Sequence, residues 1–330
     1  MKRLTPYLSL YFCLLCLPLH AQPLKIGYSD WIGWVAWEVA LIKNWFSEEQ
    51  LEVEFRWMGY SDSIEAYKKG EVHGVCMTNG DALVTASQGT PTVGILINDY
   101  SAGNDKVIAS KDIKTFQDLK GERVALELKY VSHLLFLHGL EAHGMSASDV
   151  KIYNCPTNRT PEVLTAEAVK AIAAWEPVCS ESLEATNGAH VLYTSADAPG
   201  LIYDMLFVDP ESLRENREAW GKVIKVWYRV LDYIKDENNI DEILYILSSR
   251  LKVSVEQCKL FLDGAYLLTL EESAKVWGKR PYLDSIYGST YQINQFNVQY
   301  EAYDKLLDVE NYLDSSLMFD YLQNRADKEK

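Results

Sequence analysis

Acidic and tryptophan side chains recur where predicted strands end and the next turn or helix begins. In an open parallel sheet, small molecules bind beside the carboxyl ends of the strands, where helix N-termini present free N–H groups. We therefore expect the binding residues of this chain at those positions. The candidate ligand-binding residues are Asp30, Trp31, Trp34, Asn79, Asp81, Asp99, Glu127, Asn158, Trp175, Glu176 and Asp197.

These residue types suit a planar nitrogenous ligand. Carboxylates accept hydrogen bonds from amide or guanidinium N–H groups, and the faces of tryptophan rings attract a planar cation. Each position also has an ordinary structural explanation. An acid at a helix start, such as Asp81, can cap the helix, and Trp34 or Trp175 can belong to the core. The coincidence of acids and indoles at several strand ends favours binding.

The first part of the chain alternates short apolar strands with helices. LKIGY at Leu24–Tyr28 predicts a strand, and the apolar spacing of residues 34–46 predicts a helix. The strands and helices that follow are predicted at residues 51–57, 61–69, 72–77, 82–88 and 93–97. This rhythm is typical of βαβ units and a parallel sheet.

A second α/β rhythm follows a turn-rich crossing at residues 99–105 (DYSAGND). Residues 201–208 then predict a strand that returns to the first lobe, and the chain after Pro210 is mainly helical. The predicted fold class is α/β, with two lobes of mixed, mainly parallel sheets joined by two crossovers. Residues 22–110 and 195–330 form the first lobe in this prediction, and residues 111–194 form the second.

The N-terminus has the pattern of a secretory signal peptide, which we predict at residues 1–21. Lys2 and Arg3 precede an apolar run, and Ala21 ends a small-residue exit. The run is too short to anchor the chain across a bilayer. A buried N-terminal helix is the alternative interpretation. We expect export to the periplasm and no stable membrane insertion.

The charge balance disfavours polyanionic partners. The chain has 47 acidic and 32 basic residues, for a formal net charge of −15. Phosphate backbones and anionic lipid surfaces repel such a chain, so we expect no nucleic-acid partner. The expected partner is a small-molecule solute, and the expected state is a monomer.

Four cysteines follow the predicted leader, at Cys76, Cys155, Cys179 and Cys258. Their wide spacing contains no CxxC pair and no zinc-binding pattern, so we predict no metal site. Cys155 and Cys179 could pair in an oxidising compartment, and buried free thiols are the alternative.

The sequence lacks the common motifs of catalysis. No P-loop, dinucleotide fingerprint, hydrolase elbow or zincin motif occurs, so we predict no catalytic residues and no cofactor. His133, His138 and His143 lie five residues apart, a spacing that rotates successive helical side chains by about 140° and prevents convergence on one metal. Only His133, which follows Glu127, stays a possible site residue.

Several segments together resemble a known family. LKIGY, SDWIGWVAWE, MTNGDAL, LKGERVALE and SADAPGLIYD are similar to segments of the periplasmic solute-binding proteins of ABC importers. The closest group is the nitrate/sulfonate/taurine type, which includes the thiamine-pyrimidine synthases. The resemblance extends over essentially the whole chain after the leader. Within the family, the motifs look like the subgroup associated with urea carboxylase.

This resemblance implies a type II periplasmic-binding-protein fold that clamps a solute between its lobes, with a membrane permease of an ABC transporter as partner. It implies a urea- or guanidine-like cargo. The implied contacts are Asp30, Trp31, Asn79 and Asp81 from the first lobe, and Glu127, Asn158, Trp175 and Glu176 from the second. Carboxylates at several of these positions argue against an anionic cargo.

Three alternatives stay open at this point. The same fold could bind a sulfonate, a nitrate or a pyrimidine-type solute. An enzyme like the thiamine-pyrimidine synthases would need a clustered-cysteine segment, and a Lys and a His serving pyridoxal phosphate and iron; the cysteines here are isolated. A sensor that presents its ligand to a receptor is not distinguished from an importer component by the sequence.

Overall fold

The computed structural model describes residues 23–328, so the predicted signal peptide at residues 1–21 lies outside the described residues. Within the described part, the strands form two sheets, one of six strands and one of five. Helices pack against both sheets. The α/β fold class predicted from the sequence is confirmed.

The first sheet is mixed. β1 pairs in parallel with β2 and β3, whereas β10 runs antiparallel to both β3 and β4. The spatial order is β11-β4-β10-β3-β1-β2. Its strands, numbered along the chain, are β1 (Leu24–Tyr28), β2 (Val53–Trp57), β3 (Gly74–Thr78), β4 (Val93–Ser101), β10 (Tyr203–Val208) and β11 (Ala265–Leu267).

The second sheet has the order β7-β6-β8-β5-β9. Its strands are β5 (Lys106–Ala109), β6 (Arg123–Leu126), β7 (Lys151–Asn154), β8 (Ala171–Ala174) and β9 (His190–Thr194). The sequence prediction placed Lys106–Ala109 in the first lobe. β5 instead pairs with β8 and β9, so the chain crosses between the sheets before residue 106 and not after residue 110.

The helices surround the two sheets and dominate the C-terminal third. They are α1 (Ile32–Val35), α2 (Trp37–Ile42), α3 (Trp45–Glu48), α4 (Tyr60–Lys68), α5 (Asn79–Ser87), α6 (Val131–Ala142), α7 (Thr160–Thr165), α8 (Val178–Ala185), α9 (Pro210–Glu215), α10 (Arg217–Lys235), α11 (Ile240–Leu251), α12 (Val255–Asp263), α13 (Leu270–Val276), α14 (Ile286–Gln299) and α15 (Ser316–Lys328). None of these helices, over residues 23–328, has both the length and the apolarity needed to span a bilayer.

One predicted helix is divided. Residues 34–46 have helical spacing, but they form parts of α1, α2 and α3. Asn44 separates α2 from α3 because it adopts a left-handed conformation with φ 57°, which ends the regular hydrogen-bond pattern. Most of the apolar residues face the core, with Ile42 exposed, so the spacing predicts most of the buried face correctly and the continuity of the helix incorrectly.

Aromatic packing joins this N-terminal segment to α10. The rings of Trp37 and Trp227 are 4.6 Å apart, and both side chains are fully buried together with Trp220. Large rings of this kind remove 150–250 Å² each from water, at roughly 25 cal/mol per Å² of apolar area. The apolar spacing of residues 220–234 in the sequence predicts core positions for Trp220 and Trp227, and their burial agrees.

Two crossovers connect the sheets, at residues 102–105 and 195–202. The Oγ atoms of Ser101 and Ser195 are 2.6 Å apart, so the two crossovers are hydrogen-bonded to each other. The backbone N–H of Gly103 also donates to Ser195 Oγ at 2.7 Å. These bonds hold the crossovers side by side next to the space between the sheets.

The four described cysteines are buried free thiols. Cys155 and Cys179 belong to one small hydrophobic cluster, yet no disulfide joins them. Burial raises the pKa of Cys179 well above its ordinary value. Of the two alternatives from the sequence, a disulfide or buried free thiols, the structure has the free thiols at Cys155 and Cys179.

Candidate functional site

A small pocket lies between the two sheets, beside the crossovers. We call it the aromatic pocket. It is lined by Trp31, Trp34, Tyr60, Thr78, Asp105, Val131, Trp175, Ile202 and Asp204. Val131 begins α6 and Trp175 follows β8, whereas the other residues come from the first-sheet elements and the crossovers. Both halves of the molecule therefore contribute to the pocket.

Four aromatic side chains form the walls of the pocket. The ring of Trp34 stacks on Tyr60 with centroids 5.5 Å apart and an interplanar angle of 18°. Trp175 meets Tyr60 edge-on at 5.4 Å, and Trp31 meets Trp34 at 6.4 Å. Rings packed against one another in this way have little rotamer freedom, so the walls of the pocket are fixed.

Asp99 and Asp204, which we call the acid pair, are direct register partners on the antiparallel strands β4 and β10. Both are buried, with 0% and 2% of their surface exposed. Trp31 Nε1 donates to Asp99 Oδ1 at 3.0 Å, but the Oδ2 atom of each acid has no donor among the described residues. Like charges opposite each other on neighbouring strands repel, and burial adds a desolvation cost.

Burial therefore raises the pKa of both members of the acid pair. The pKa of Asp99 rises to about 8, and the pKa of Asp204 rises well above its ordinary value because of burial and the facing charge of Asp99. Two buried carboxylates that face each other repel strongly, so they do not ionise together. The pair consequently holds a shared proton at neutral pH.

Two further buried acids flank the pair. Asp105 lines the aromatic pocket from the first crossover, and burial raises its pKa to about 6. Asp81 accepts a hydrogen bond of 2.5 Å from the Tyr60 hydroxyl, and burial raises its pKa to about 7. The cap of α5 is the Thr78 side chain, which accepts from the Asp81 backbone N–H at 3.1 Å. The Asp81 carboxylate therefore supports the pocket wall from behind through Tyr60.

A wider cleft of about 500 Å³ adjoins the aromatic pocket and shares Tyr60 and Trp175 with it. We call it the outer cleft. The predicted residues Asp30, Glu127 and Asn158 line it. Glu127 Oε2 accepts from Thr157 Oγ1 at 3.1 Å, and burial raises the pKa of Asp30 although a Trp175 hydrogen bond opposes the shift. Acidic side chains therefore line the cleft that adjoins the aromatic pocket.

Asn79, a predicted ligand contact, is instead a structural link. Its amide nitrogen donates to Ser289 Oγ at 3.0 Å and to Thr290 Oγ1 at 3.1 Å. Its Oδ1 atom accepts from the Tyr203 backbone N–H at 3.2 Å. The side chain ties α5 to α14 and β10, and its hydrogen-bonding groups are thereby occupied.

Glu176 and Asp197 also have structural partners. Lys106 Nζ lies 2.6 Å from Glu176 Oε1, and the Ser180 backbone N–H donates to Glu176 Oε2 at 2.9 Å. Asp197 is exposed, and it accepts from the backbone N–H and hydroxyl of Thr194 in a capping box. Neither acid lines the aromatic pocket or the outer cleft in the described chain. We therefore correct their assignment as ligand contacts.

Six of the nine residues that line the aromatic pocket are not among the predicted contacts, namely Tyr60, Thr78, Asp105, Val131, Ile202 and Asp204. Asp204 had a readable signal, because an acid within the apolar strand YDMLFV has to be buried. The same signal is present at Asp99 in the strand VGILINDYS. Tyr60 had none, since a tyrosine at a helix start is an ordinary residue. Asp105 lay in a segment interpreted only as a crossing.

Basic side chains line the surroundings of the aromatic pocket and not the pocket itself, and Arg159 is one that lines the outer cleft. Within residues 23–328, no Lys, Arg or His side chain lines the aromatic pocket. Lys129 and His133 line a separate cavity on the other side of Asp81, where burial lowers the pKa of His133 to about 4. The described residues also contain no group of three or more His, Cys, Asp or Glu side chains arranged to hold a metal ion.

Comparisons with known proteins agree with this architecture. The family model described as "NMT1/THI5 like" matches residues 35–239, more than half of the chain. A curated protein of Brucella abortus (strain 2308), whose name specifies binding but no ligand, is 24% identical over 286 residues. The match covers 84% of this chain and 87% of that protein.

Solved structures share the fold. The periplasmic aliphatic sulphonate binding protein SsuA from Escherichia coli has a TM-score of 0.71 at 17% identity, and the match covers 91% of this chain and 99% of that one. The periplasmic nitrate-binding protein NrtA from Synechocystis PCC 6803 has a TM-score of 0.71 at 13% identity, with 92% of this chain and 89% of that one covered. At these identities the likeness establishes the periplasmic-binding-protein fold.

Proposed function

The chain belongs to the NMT1/THI5-like family, and from this premise we propose that it is the solute-binding component of an ABC importer. In this proposal it works in the periplasm, traps a small planar nitrogenous solute of the urea or guanidine kind between its lobes, and presents the closed form to a membrane permease. The shared fold supports the general role, because the sulfonate- and nitrate-binding proteins named above are periplasmic binders.

The observation that carries the choice of cargo is the combination of flat aromatic walls and buried acids in one pocket. Trp34 and Tyr60 offer stacked ring faces, and Asp105 and Asp204 line the same space. Ring faces attract a planar cation, and carboxylates accept its N–H groups. A nitrogenous plane with several N–H donors satisfies both kinds of surface at once.

An anionic cargo fits this pocket poorly. Sulfonates and nitrate need N–H or O–H donors or a positive charge, and the aromatic pocket is lined by two acids and, within the described residues, by no basic side chain. A carboxylate close to a sulfonate would add repulsion in a medium of low dielectric constant. The cargo therefore differs, in this proposal, from those that the names of the structural neighbours specify.

Closure of the lobes is the proposed working step. Trp175 and Val131 approach from the second-sheet side, and Trp31 and Trp34 approach from the first. A solute between these surfaces makes its full set of contacts only when the lobes are together, so binding shifts the population toward the closed form. The proposal requires no turnover of the solute.

A thermal-shift screen of the purified protein tests the cargo. The panel is guanidinium chloride, methylguanidine, urea, taurine, nitrate and an aminopyrimidine, each at millimolar concentration. A ligand at 100 times its Kd stabilises the folded state by about 2.7 kcal/mol, which raises the melting temperature by several degrees. We expect that rise with guanidinium, methylguanidine or urea and not with taurine or nitrate.

Each other outcome of the screen has a definite meaning. A rise with taurine or nitrate alone would reassign the protein as an anion binder, and a rise with the aminopyrimidine alone would reassign it as a pyrimidine binder. Small-angle scattering checks the trapping step, because closure reduces the radius of gyration when the ligand is added. An unchanged radius with a bound ligand would contradict closure.

A further inference from the structure

The charge of the cargo follows from the acid pair. This inference rests on the proposed function and specifies which member of the urea and guanidine class the site selects. We propose that the aromatic pocket takes a cationic, guanidinium-type solute in preference to a neutral urea-type one, and that Asp99 and Asp204 release their shared proton to solvent as the cation binds.

The first step is the geometry of the pair. Asp204 faces Asp99 across the β4–β10 ladder, and Asp204 lines the pocket. Each acid has an Oδ2 atom that is buried and receives no hydrogen bond from the described residues. A buried acceptor without a donor is unfavourable, so the pair is stabilised when a cation with N–H donors enters the pocket beside Asp204.

The second step is the absence of a fixed countercharge. Apart from each other, the charged groups that act on the two carboxyl groups are acids, Asp105 and Asp81. Lys106, whose charge acts on Asp105, is engaged with Glu176. Among the described residues, the acid pair is therefore neutralised by a proton and not by a side chain.

The third step is a balance of charge. With one shared proton the pair carries a charge of −1, and after the proton leaves it carries −2. A guanidinium contributes +1, so exchange of the proton for the cation leaves the net charge of the buried site unchanged. A neutral urea cannot make this exchange, because its binding either leaves the proton in place or leaves a charge of −2 buried without compensation.

One feature of the pocket favours urea and makes urea the appropriate neutral probe. Trp34 Nε1 is a buried donor without an acceptor among the described residues, and a urea carbonyl could accept from it. Guanidinium has the same planar shape and size but no acceptor. The two probes therefore differ in the property that the proposal concerns, which is whether the acid pair or the indole N–H determines the selection.

Isothermal titration calorimetry of the purified protein with guanidinium chloride provides the test. Titrations at pH 7 in two buffers of different ionisation enthalpy count the protons released for each guanidinium bound. We expect about one proton, and an affinity that rises about tenfold for each pH unit between pH 6 and 7.5, as linkage requires for one released proton. We expect urea to bind at least tenfold more weakly, with no proton released.

Variants identify the source of the proton. Asp204→Asn keeps a side chain of the same shape but removes one charge, so we expect proton release to disappear and guanidinium affinity to fall at least tenfold, with little effect on urea. Asp99→Asn serves as the second variant should Asp204→Asn fold poorly. The matched control is Asp118→Asn, which alters an exposed capping acid of the second lobe and leaves both quantities unchanged.

The outcomes separate the two proposals. Guanidinium binding without proton release, or urea binding as tightly as guanidinium, overturns this inference and leaves the proposed function in place. Binding of neither probe, together with binding of taurine or nitrate, overturns both. Proton release that persists in Asp204→Asn and in Asp99→Asn would assign the proton to another group and also overturn the inference.

Discussion

Two groups of buried acids lie near the interlobe pocket, and the fold treats them differently. Glu176 is 6% exposed. Its carboxylate forms an ion pair with Lys106 Nζ at 2.6 Å and accepts a hydrogen bond from the Ser180 backbone N–H at 2.9 Å. The acid pair Asp99 and Asp204 is at least as deeply buried, but its hydrogen bond from the protein is the Trp31 indole N–H. The protein thus provides a fixed basic partner for the structural acid and, within the described residues, none for the acid pair.

This difference separates a structural charge from a binding charge. A buried carboxylate with a permanent ion-pair partner stabilises one arrangement of the chain and has nothing to offer a ligand. A buried pair of carboxyl groups that share a proton costs stability in the empty protein and recovers it when donors arrive. The comparison predicts opposite effects of substitution at the two places.

The largest effect is expected at the structural acid. Lys106→Met removes the countercharge of Glu176, whose carboxylate stays buried, so we expect a loss of about 3 kcal/mol in the free energy of unfolding. Urea unfolding at pH 7 measures the loss. The double variant with Glu176→Gln should recover part of it, because the uncompensated charge is then gone.

An exposed ion pair provides the matched control for that substitution. Lys120 lies 3.5 Å from Asp149, and 76% of the Lys120 side chain is exposed. Solvent screens such a pair, so Lys120→Met should leave the unfolding midpoint unchanged. Equal losses in Lys106→Met and Lys120→Met would show that the burial of Glu176 does not matter, and the contrast between the two groups of acids would fail.

The opposite effect is expected at the acid pair. Asp204→Asn removes the repulsion between two facing carboxyl groups, so we expect the empty protein to gain about 2 kcal/mol at pH 8. The gain should shrink as the pH falls to 5, since the pair then holds its proton. Unfolding midpoints of wild type and variant at pH 5, 6.5 and 8 measure both parts.

The direction of this pH dependence follows from linkage. The folded state holds the proton of Asp99 more tightly than the unfolded chain does, because the pKa rises from 3.8 to about 8 on burial. The stability that the proton brings is complete below pH 4 and is lost as the pH rises through about 8. A wild-type protein that is as stable at pH 8 as at pH 5, and unaffected by Asp204→Asn, would contradict a shared proton.

The fold was largely readable from the sequence because its signals are local. Apolar runs such as LKIGY and the amphipathic spacing of α10 depend on neighbouring residues, and they predicted strands and helices close to the observed bounds. Errors arose where a single residue decides the outcome. Asn44 interrupts a helix that spacing alone predicts as continuous, and pairing partners distant in the sequence decide to which sheet β5 belongs.

The site was less readable because it depends on register and on side-chain partners. Asp99 and Asp204 are separated by about a hundred residues, and only the pairing of β4 with β10 places them opposite each other. Conversely, the sequence around Glu176 does not show that it pairs with Lys106, and so does not distinguish it from an acid without a countercharge. Strand ends therefore predict where acids gather, and the three-dimensional partners decide which of them are free to bind.

The smallest effect is expected at Trp34, in the aromatic wall of the pocket. Trp34→Phe keeps an aromatic face against Tyr60 but weakens its attraction for a cation, so we expect guanidinium affinity to fall about fivefold, equivalent to about 1 kcal/mol. Trp277→Phe is the matched control, because Trp277 is also buried with an indole N–H that lacks an acceptor among the described residues, yet it lies outside the aromatic pocket. Both variants leave space where an indole was, so both should lose some stability, and calorimetry should detect weaker binding only in Trp34→Phe. Equal guanidinium affinities in the two variants would mean that the acids select the cation without help from the ring. A gain in urea affinity in Trp34→Phe would exclude the indole N–H as the group that binds the urea carbonyl.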